Sequence, residues 1–341
     1  MMLSLGHEVF LYGAEKNDST CTEFISCISK EEQEKYFGNV DWHKEFFPIQ
    51  WDCNLPYWQT MNNNAIKEIG KRIQQKDFIC LIGGNCQKPV ADAFPNHMSV
   101  EYGIGYEGVF SKYRVFESYA WMHYVYGLTK QSNGGYYDRR IFNYFNPDDF
   151  PVNYNKENYF LFIGRMISRK GVHIAAEVCK KLGVKLILAG QGVKEYSNGH
   201  IVTDDMVLDG DIEYVGTVDV KQRGELMSKA KAVFVPTQYI GPFEGVHAES
   251  NFCGSPVICT DFGVFTETVV NGLNGYRTRT FGEMLQACKL VEKLDPKKIR
   301  EYAINNFSMD VIKYQYQEYF NQLLDLWDEG WYSERPSELL V

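Results

Sequence analysis

The chain has 341 residues, 45% of them hydrophobic and 23% charged, with a net charge of −9. That length suits two domains, and that balance excludes disorder as the main state. Both halves are acidic, which argues against duplex nucleic acid or an anionic membrane as main partner, and no run approaches the roughly 18 apolar residues of a membrane span. The opening residues lack a basic region and a small-residue cleavage site, so no signal peptide is expected. The nine cysteines form no C-x-x-C pair, and Cys80 and Cys259 lie in apolar runs. They read as buried thiols of a reducing, cytoplasmic compartment.

Residues 1–12 read as a helix end, Gly6 and a strand over 7–12. Residues 13–64 are polar and aromatic with weak periodicity. A helix is expected over 65–76, where Ile66, Ile69 and Ile73 share a face. Strands follow at 77–82 and 97–102, the second running into a glycine-rich loop, 103–108. A helix over 115–120 and a strand over 121–126 complete this half. The turn formers and prolines of 143–151 mark a linker.

The second half alternates regularly. Strands are predicted at 159–163, 184–189, 213–215, 232–235 and 256–260. Helices are predicted at 171–182, 221–230 and 246–253, and a last long helix at 309–331. Continuous apolar strands between helices predict a parallel sheet covered on both faces. Such sheets bind ligands at the carboxyl ends of their strands.

Two segments carry chemistry. In FLFIGRMISRKG a strand ends at Gly164, and Arg165 and Lys170 follow before a helix, a spacing suited to clamping a diphosphate. In PTQYIGPFEGVHAESNFCGSPVICT a strand runs into a glycine-containing loop and a helix bearing Glu249. A carboxylate one turn into such a helix can accept from the vicinal hydroxyls of a ribose. Asp209-Gly210-Asp211 has the spacing of a metal-binding D-x-D but reads as a turn before a strand. His97 and His123 are isolated.

In order, FIGR-x4-KG, ILAGQG, EYVGTV, VFVPT, E-x4-G-x-P-V-I-x-T and TETVVNGLNGY resemble the retaining, nucleotide-sugar-dependent glycosyltransferases of family four, the glycogen-synthase-like and mannosyltransferase-like group. The resemblance is strong over 159–280 and weak before it. It implies an α/β GT-B fold, two Rossmann-like domains facing across a cleft, from which this sequence departs in that the usual first strand of the N-terminal one is not expected. The implied divisions are 1–148 on the acceptor side, 149–308 for the nucleotide sugar, and 309–341 as a helix returning to the first domain. It implies a UDP- or GDP-sugar donor, a glycan or small hydroxyl acceptor, and no metal or other cofactor. By the same resemblance Arg165 and Lys170 hold the diphosphate and Glu249 the ribose. Gly164, Gly190, Gly192, Tyr214, Val215, Phe243, Gly245 and Val246 line the donor site. Thr266 and Glu267 lie in a loop near the nucleotide, though Glu267 equally suits a helix cap. Glu101 is the nearest candidate for the place near the reacting sugar where the family often has a histidine, with His97 and His123 as the alternatives.

The family's E-x7-E pattern is broken. Gly241 stands where its first glutamate belongs, and Glu244 where it has glycine. Glu244 either replaces the missing carboxylate or is a solvated loop acid. A sugar-nucleotide-binding protein without transfer activity, or an epimerase or phosphorylase on the same fold, are the alternatives.

Overall fold

The computed structural model describes residues 1–15, 17, 19–40 and 48–326. The expected helix end beyond residue 326 lies outside the described residues.

In chain order a short 3₁₀ turn, Met2–Leu5, precedes β1 (Phe10–Ala14), β2 (Glu23–Ile28) and α1 (Lys30–Phe37). The Ser29 hydroxyl accepts from the Glu32 amide while the Glu32 carboxylate accepts from the Ser29 amide, a capping box that starts α1. Next come α2 (Pro56–Ile69), opened by a proline whose missing N–H costs the helix nothing there, β3 (Ile79–Leu81), α3 (Lys88–Ala93), β4 (Ser99–Ile104) and β5 (Tyr113–Phe116). Then α4 (Tyr119–Leu128) and β6 (Arg139–Arg140) follow. The second half runs β7 (Tyr159–Ile163), α5 (Val172–Leu182), β8 (Lys185–Ala189), β9 (Glu195–Ser197), β10 (His200–Val202), β11 (Val207–Asp209) and β12 (Ile212–Tyr214). It continues with α6 (Val220–Lys229), β13 (Ala232–Val235), α7 (Val246–Phe252), β14 (Val257–Thr260), α8 (Phe265–Thr268) and β15 (Gly275–Thr278). It ends in α9 (Phe281–Leu290), α10 (Pro296–Phe307) and α11 (Met309–Asp325).

The chain forms two compact units. The first comprises Met1–Phe116, Lys130–Ile141 and the chain from Ile312; the second comprises Glu117–Thr129 and Phe142–Val311. In the first, β3-β4-β5-β6 form an all-parallel sheet, and β1 pairs with β2, also in parallel. Most of α11 belongs here and buries Ile312, Tyr316, Tyr319 and Leu323. The rings of Phe320 and Phe78 lie 4.9 Å apart, and Tyr319 Oη donates to the Tyr137 carbonyl at 2.9 Å.

The second unit is built on a six-stranded parallel sheet in the order β12-β8-β7-β13-β14-β15. Counted by their place in the chain, those strands run 3-2-1-4-5-6, the doubly wound order of dinucleotide folds. The order reverses between β7 and β13, and sheets of this order bind ligands beyond the carboxyl ends of the strands at that point. Both faces are covered, which is why β7 reads YFLFI with four of its five side chains buried. The small antiparallel sheet β9-β10-β11 is inserted after β8.

Four expectations are corrected. The segment 115–120 is not one helix, since Val115 and Phe116 end β5 and α4 starts only at Tyr119. The segment 121–126 is not a strand: it lies within α4, because Ser118 caps the Trp121 amide and Trp121, Met122 and Val125 form a helical buried stripe. The expected helix at 65–76 begins earlier, at Pro56, and ends at Ile69. Cys80 is exposed, since β3 buries only Ile79 and Leu81 on alternate positions, whereas Cys259 is buried. The helices α9 and α10 were not anticipated.

Candidate functional site

The site grows from the two strands at the point where the sheet order reverses. Beyond β7 the chain passes Gly164 and Arg165 and turns through the 3₁₀ segment Ser168–Lys170. The turn is held from outside, as the Ser168 amide donates to Asp205 Oδ2 at 2.9 Å. Beyond β13 the chain passes Thr237 and Tyr239 and reaches Glu244, one residue before the Gly245 that opens α7.

These two loops meet at one carboxylate. Lys170 Nζ lies 2.5 Å from Glu244 Oε2. Tyr239 Oη donates to Glu244 Oε1 at 2.8 Å, and Thr237 Oγ1 to Oε2 at 3.5 Å. The Glu244 side chain is 5% exposed, so it is not a solvated loop acid. The Tyr239 ring also faces two cations, with the Arg169 guanidinium 4.7 Å and Lys170 Nζ 5.1 Å from its centroid. Burial, and then the Glu244 charge, push the Tyr239 phenol above its ordinary pKa.

Glu244 has φ +59°, left-handed backbone that costs a non-glycine residue roughly 1–2 kcal/mol. From that turn its side chain folds back over Gly241. A Cβ at position 241 would lie 2.3 Å from Glu244 Oε1. The carboxylate at 244 thus fills the space a side chain at 241 would enter, and the two departures from the family pattern interlock.

One turn further on, Glu249 is 7% exposed. Its Oε1 pairs with Arg223 Nη2 of α6 at 3.0 Å. Its Oε2 is buried and accepts no hydrogen bond from the described residues. Burial raises the Glu249 pKa, and Arg223 opposes the shift. A buried acceptor without a donor costs about 1–3 kcal/mol, a penalty that a ligand hydroxyl would remove.

The remaining expected donor-lining residues fall into three groups. Gly164, Gly190, Gly192, Tyr214 and Val215 sit at the carboxyl ends of β7, β8 and β12. Tyr214 Oη donates to the Gly190 carbonyl at 2.8 Å. Position 190 admits only glycine, because a Cβ there would meet the Gly164 carbonyl oxygen at 2.0 Å. Gly245 and Val246 open α7, and Phe243 is a correction as far as its ring is concerned. That ring is 2% exposed and packs among Phe142, Phe145 and Phe307, so only its backbone can meet a ligand. Glu267 is a cap: its two carboxylate oxygens accept from the amides of Tyr119 and Ala120 at 3.0 and 2.8 Å, at the start of α4. Thr266 bonds the Gly263 carbonyl at 2.8 Å.

In the first unit Glu101 is wholly buried. Its Oε2 accepts from the amides of Phe110 and Ser111 at 2.9 and 2.7 Å, and its Oε1 from Tyr106 Oη at 3.2 Å. Those bonds tie down the loop after β4, and they occupy the carboxylate that was expected near a reacting sugar. His97 bonds the Gln74 carbonyl at 3.1 Å. His123 is exposed on α4, stacked 6.3 Å from Tyr119. Asp209 pairs with His200 at 2.6 Å. Among the described residues no group of three or more His, Cys, Asp or Glu side chains is arranged to hold a metal ion.

Sequence reasoning missed Arg223, Thr237, Tyr239 and His247. Thr237 and Tyr239 follow the VFVP strand directly, which was the available signal. Arg223 carries no motif, since its partnership with Glu249 exists only once α6 packs on α7.

Residues 147–306 match the sequence family described as Glycosyl transferases group 1. An uncharacterized glycosyltransferase of Methanocaldococcus jannaschii is 29% identical over 146 residues, 42% of this chain and 36% of that protein. The chain therefore matches only about a third of that relative's length. Among solved structures, AviGT4, a glycosyltransferase involved in avilamycin A biosynthesis, is similar with a TM-score of 0.67 at 19% identity, covering 95% of this chain and 86% of that one. Anabaena HepE, crystallised with UDP-glucose, is similar with a TM-score of 0.58 at 16% identity, covering 79% and 84%. The fold is the GT-B fold. Its second unit resembles the group 1 glycosyltransferases, as the motifs implied. No helix among the described residues is long and apolar enough to cross a membrane.

Proposed function

We propose that the chain is a retaining glycosyltransferase that moves a sugar from a UDP- or GDP-sugar to a hydroxyl acceptor, a glycan or smaller molecule. The observation that carries this reading is Glu249 Oε2, buried without a donor beside the Arg223 pair, at the reversal point of a doubly wound sheet. A ribose supplies the vicinal hydroxyls that this oxygen lacks. HepE, of the same fold, was crystallised with UDP-glucose, which favours a uridine donor.

In this reading Lys170 and Arg165 face the diphosphate. Negative charge grows on the leaving oxygens as the glycosidic bond breaks, so cations held there stabilise the transition state more than the ground state. Glu244, tied to Lys170, holds that ammonium in place and presents its carboxylate to the donor sugar. The departing phosphate takes the acceptor proton on the same face, which gives retention. No metal takes part, and the charge is met by side chains.

The test is a calorimetric and turnover screen over UDP-, GDP-, ADP- and dTDP-sugars, with and without EDTA, using wild type and Glu249→Ala. One donor should turn over with its anomeric configuration retained and without loss in EDTA. Glu249→Ala should weaken the free nucleotide about tenfold or more, the worth of a charged hydrogen bond. Tight nucleotide binding with no turnover on any donor would instead favour a binding protein. Unchanged nucleotide affinity in Glu249→Ala would remove the ribose assignment.

A further inference from the structure

The left-handed turn at Glu244 needs something to hold it, and the holder is visible. Two hydrogen bonds converge on the Glu244 carbonyl, from the His247 amide at 3.1 Å and from His247 Nδ1 at 2.8 Å. A carbonyl only accepts, so Nδ1 carries the proton and Nε2 bears the lone pair. That Nε2 is buried and has no partner among the described residues. The imidazole is fully buried, with ring centroids of Phe243, Phe265 and Phe307 between 5.0 and 5.7 Å away.

An aromatic box of this kind would accept a phenyl ring without leaving a polar atom unpaired. Burying an orphan nitrogen there is a cost with no packing return. The return is the Nδ1–H, which no hydrocarbon side chain supplies. It fixes the carbonyl at the residue whose φ is +59°, and thereby the direction in which the Glu244 carboxylate leaves the turn toward Lys170 and Tyr239.

We infer that His247 is a positioning residue for the donor site, acting through the Glu244 turn and touching no substrate itself. This rests on the proposed reading that the Lys170–Glu244 cluster receives the donor. A glycine at 244 would adopt the left-handed turn unaided, so the need for His247 should exist only while residue 244 carries a side chain.

The experiment is a double-mutant cycle on the full chain: wild type, His247→Phe, Glu244→Gly and the pair, with His247→Asn as rescue. His247→Phe should weaken UDP binding and lower turnover about tenfold. His247→Asn, whose amide N–H falls near the place of Nδ1, should return both to within about threefold. In the Glu244→Gly background His247→Phe should have no further effect. Thermal denaturation of the same four proteins reads the coupling between 244 and 247 without any ligand, and side-chain nitrogen NMR of wild type should show the proton on Nδ1. The inference is overturned if His247→Phe binds UDP as wild type does, if its effect is the same in both backgrounds, or if the proton resides on Nε2. Should wild type bind no nucleotide, the proposed function fails. Thermal coupling and the tautomer then still decide whether His247 holds the turn.

Discussion

At the scale of single residues the site turns on an exchange of two positions. With Gly241 where the resembled family has glutamate, and Glu244 where it has glycine, the carboxylate reaches the same neighbourhood from the other side of the loop. Gly241→Glu alone does not rebuild the family's arrangement, because its Cβ would collide with Glu244 Oε1 at 2.3 Å. That variant should lose turnover by about a hundredfold, while Gly241→Glu with Glu244→Gly should recover most of it. Steady-state kinetics on the two proteins checks this. His247 gives a pH prediction. Burial lowers its pKa from 6.5 to about 4, against the opposing pull of the Glu244 carbonyl and charge. Between those values the unfolded state binds the extra proton, so stability rises with pH across that window and is lost as pH falls through it. The loss should reach about 2–3 kcal/mol by the foot of the window, and denaturation at stepped pH should show a shallower acid limb in His247→Phe.

At the scale of elements, legibility followed periodicity. The strands β7 and β13 are legible to the residue, because each is an apolar run too short for a helix and bounded by turn formers. The helix α4 was misread since YAWMHYVY is aromatic throughout, and a strand and a buried helix look alike in so short a run. What settles it lies elsewhere in the chain: Glu267 supplies acceptors for the first free amides of α4. Glu267→Ala should therefore cost about 1 kcal/mol and raise hydrogen exchange at Tyr119 and Ala120, leaving α5 unaffected. The α1 capping box is legible as Ser29-x-x-Glu32. The Arg223–Glu249 pair was not legible, because it joins two helices whose packing no local pattern encodes.

At the scale of the whole molecule the GT-B fold was legible from the order of six motifs in the second half alone. The first half offers only short strands without a comparable motif, and its unit is completed by α11 from a distant part of the chain. The division into two units predicts calorimetric unfolding in two transitions. UDP should raise the midpoint of one of them and leave the other in place, since only the second unit carries the Lys170, Glu244 and Glu249 groups. A single transition moving as a whole would mean the units unfold together.

The scattered make-up of the first unit also sets an order of assembly during synthesis. The second unit's sheet is complete once β15 has left the ribosome. The first unit, although its strands emerge earlier, lacks α11 until the chain beyond Ile312 is made. Phe78 and Tyr102 must wait for Phe320 and Tyr316. The half translated first is thus the half finished last, and through most of its synthesis it shows an uncovered aromatic seam, the kind of surface that chaperones hold.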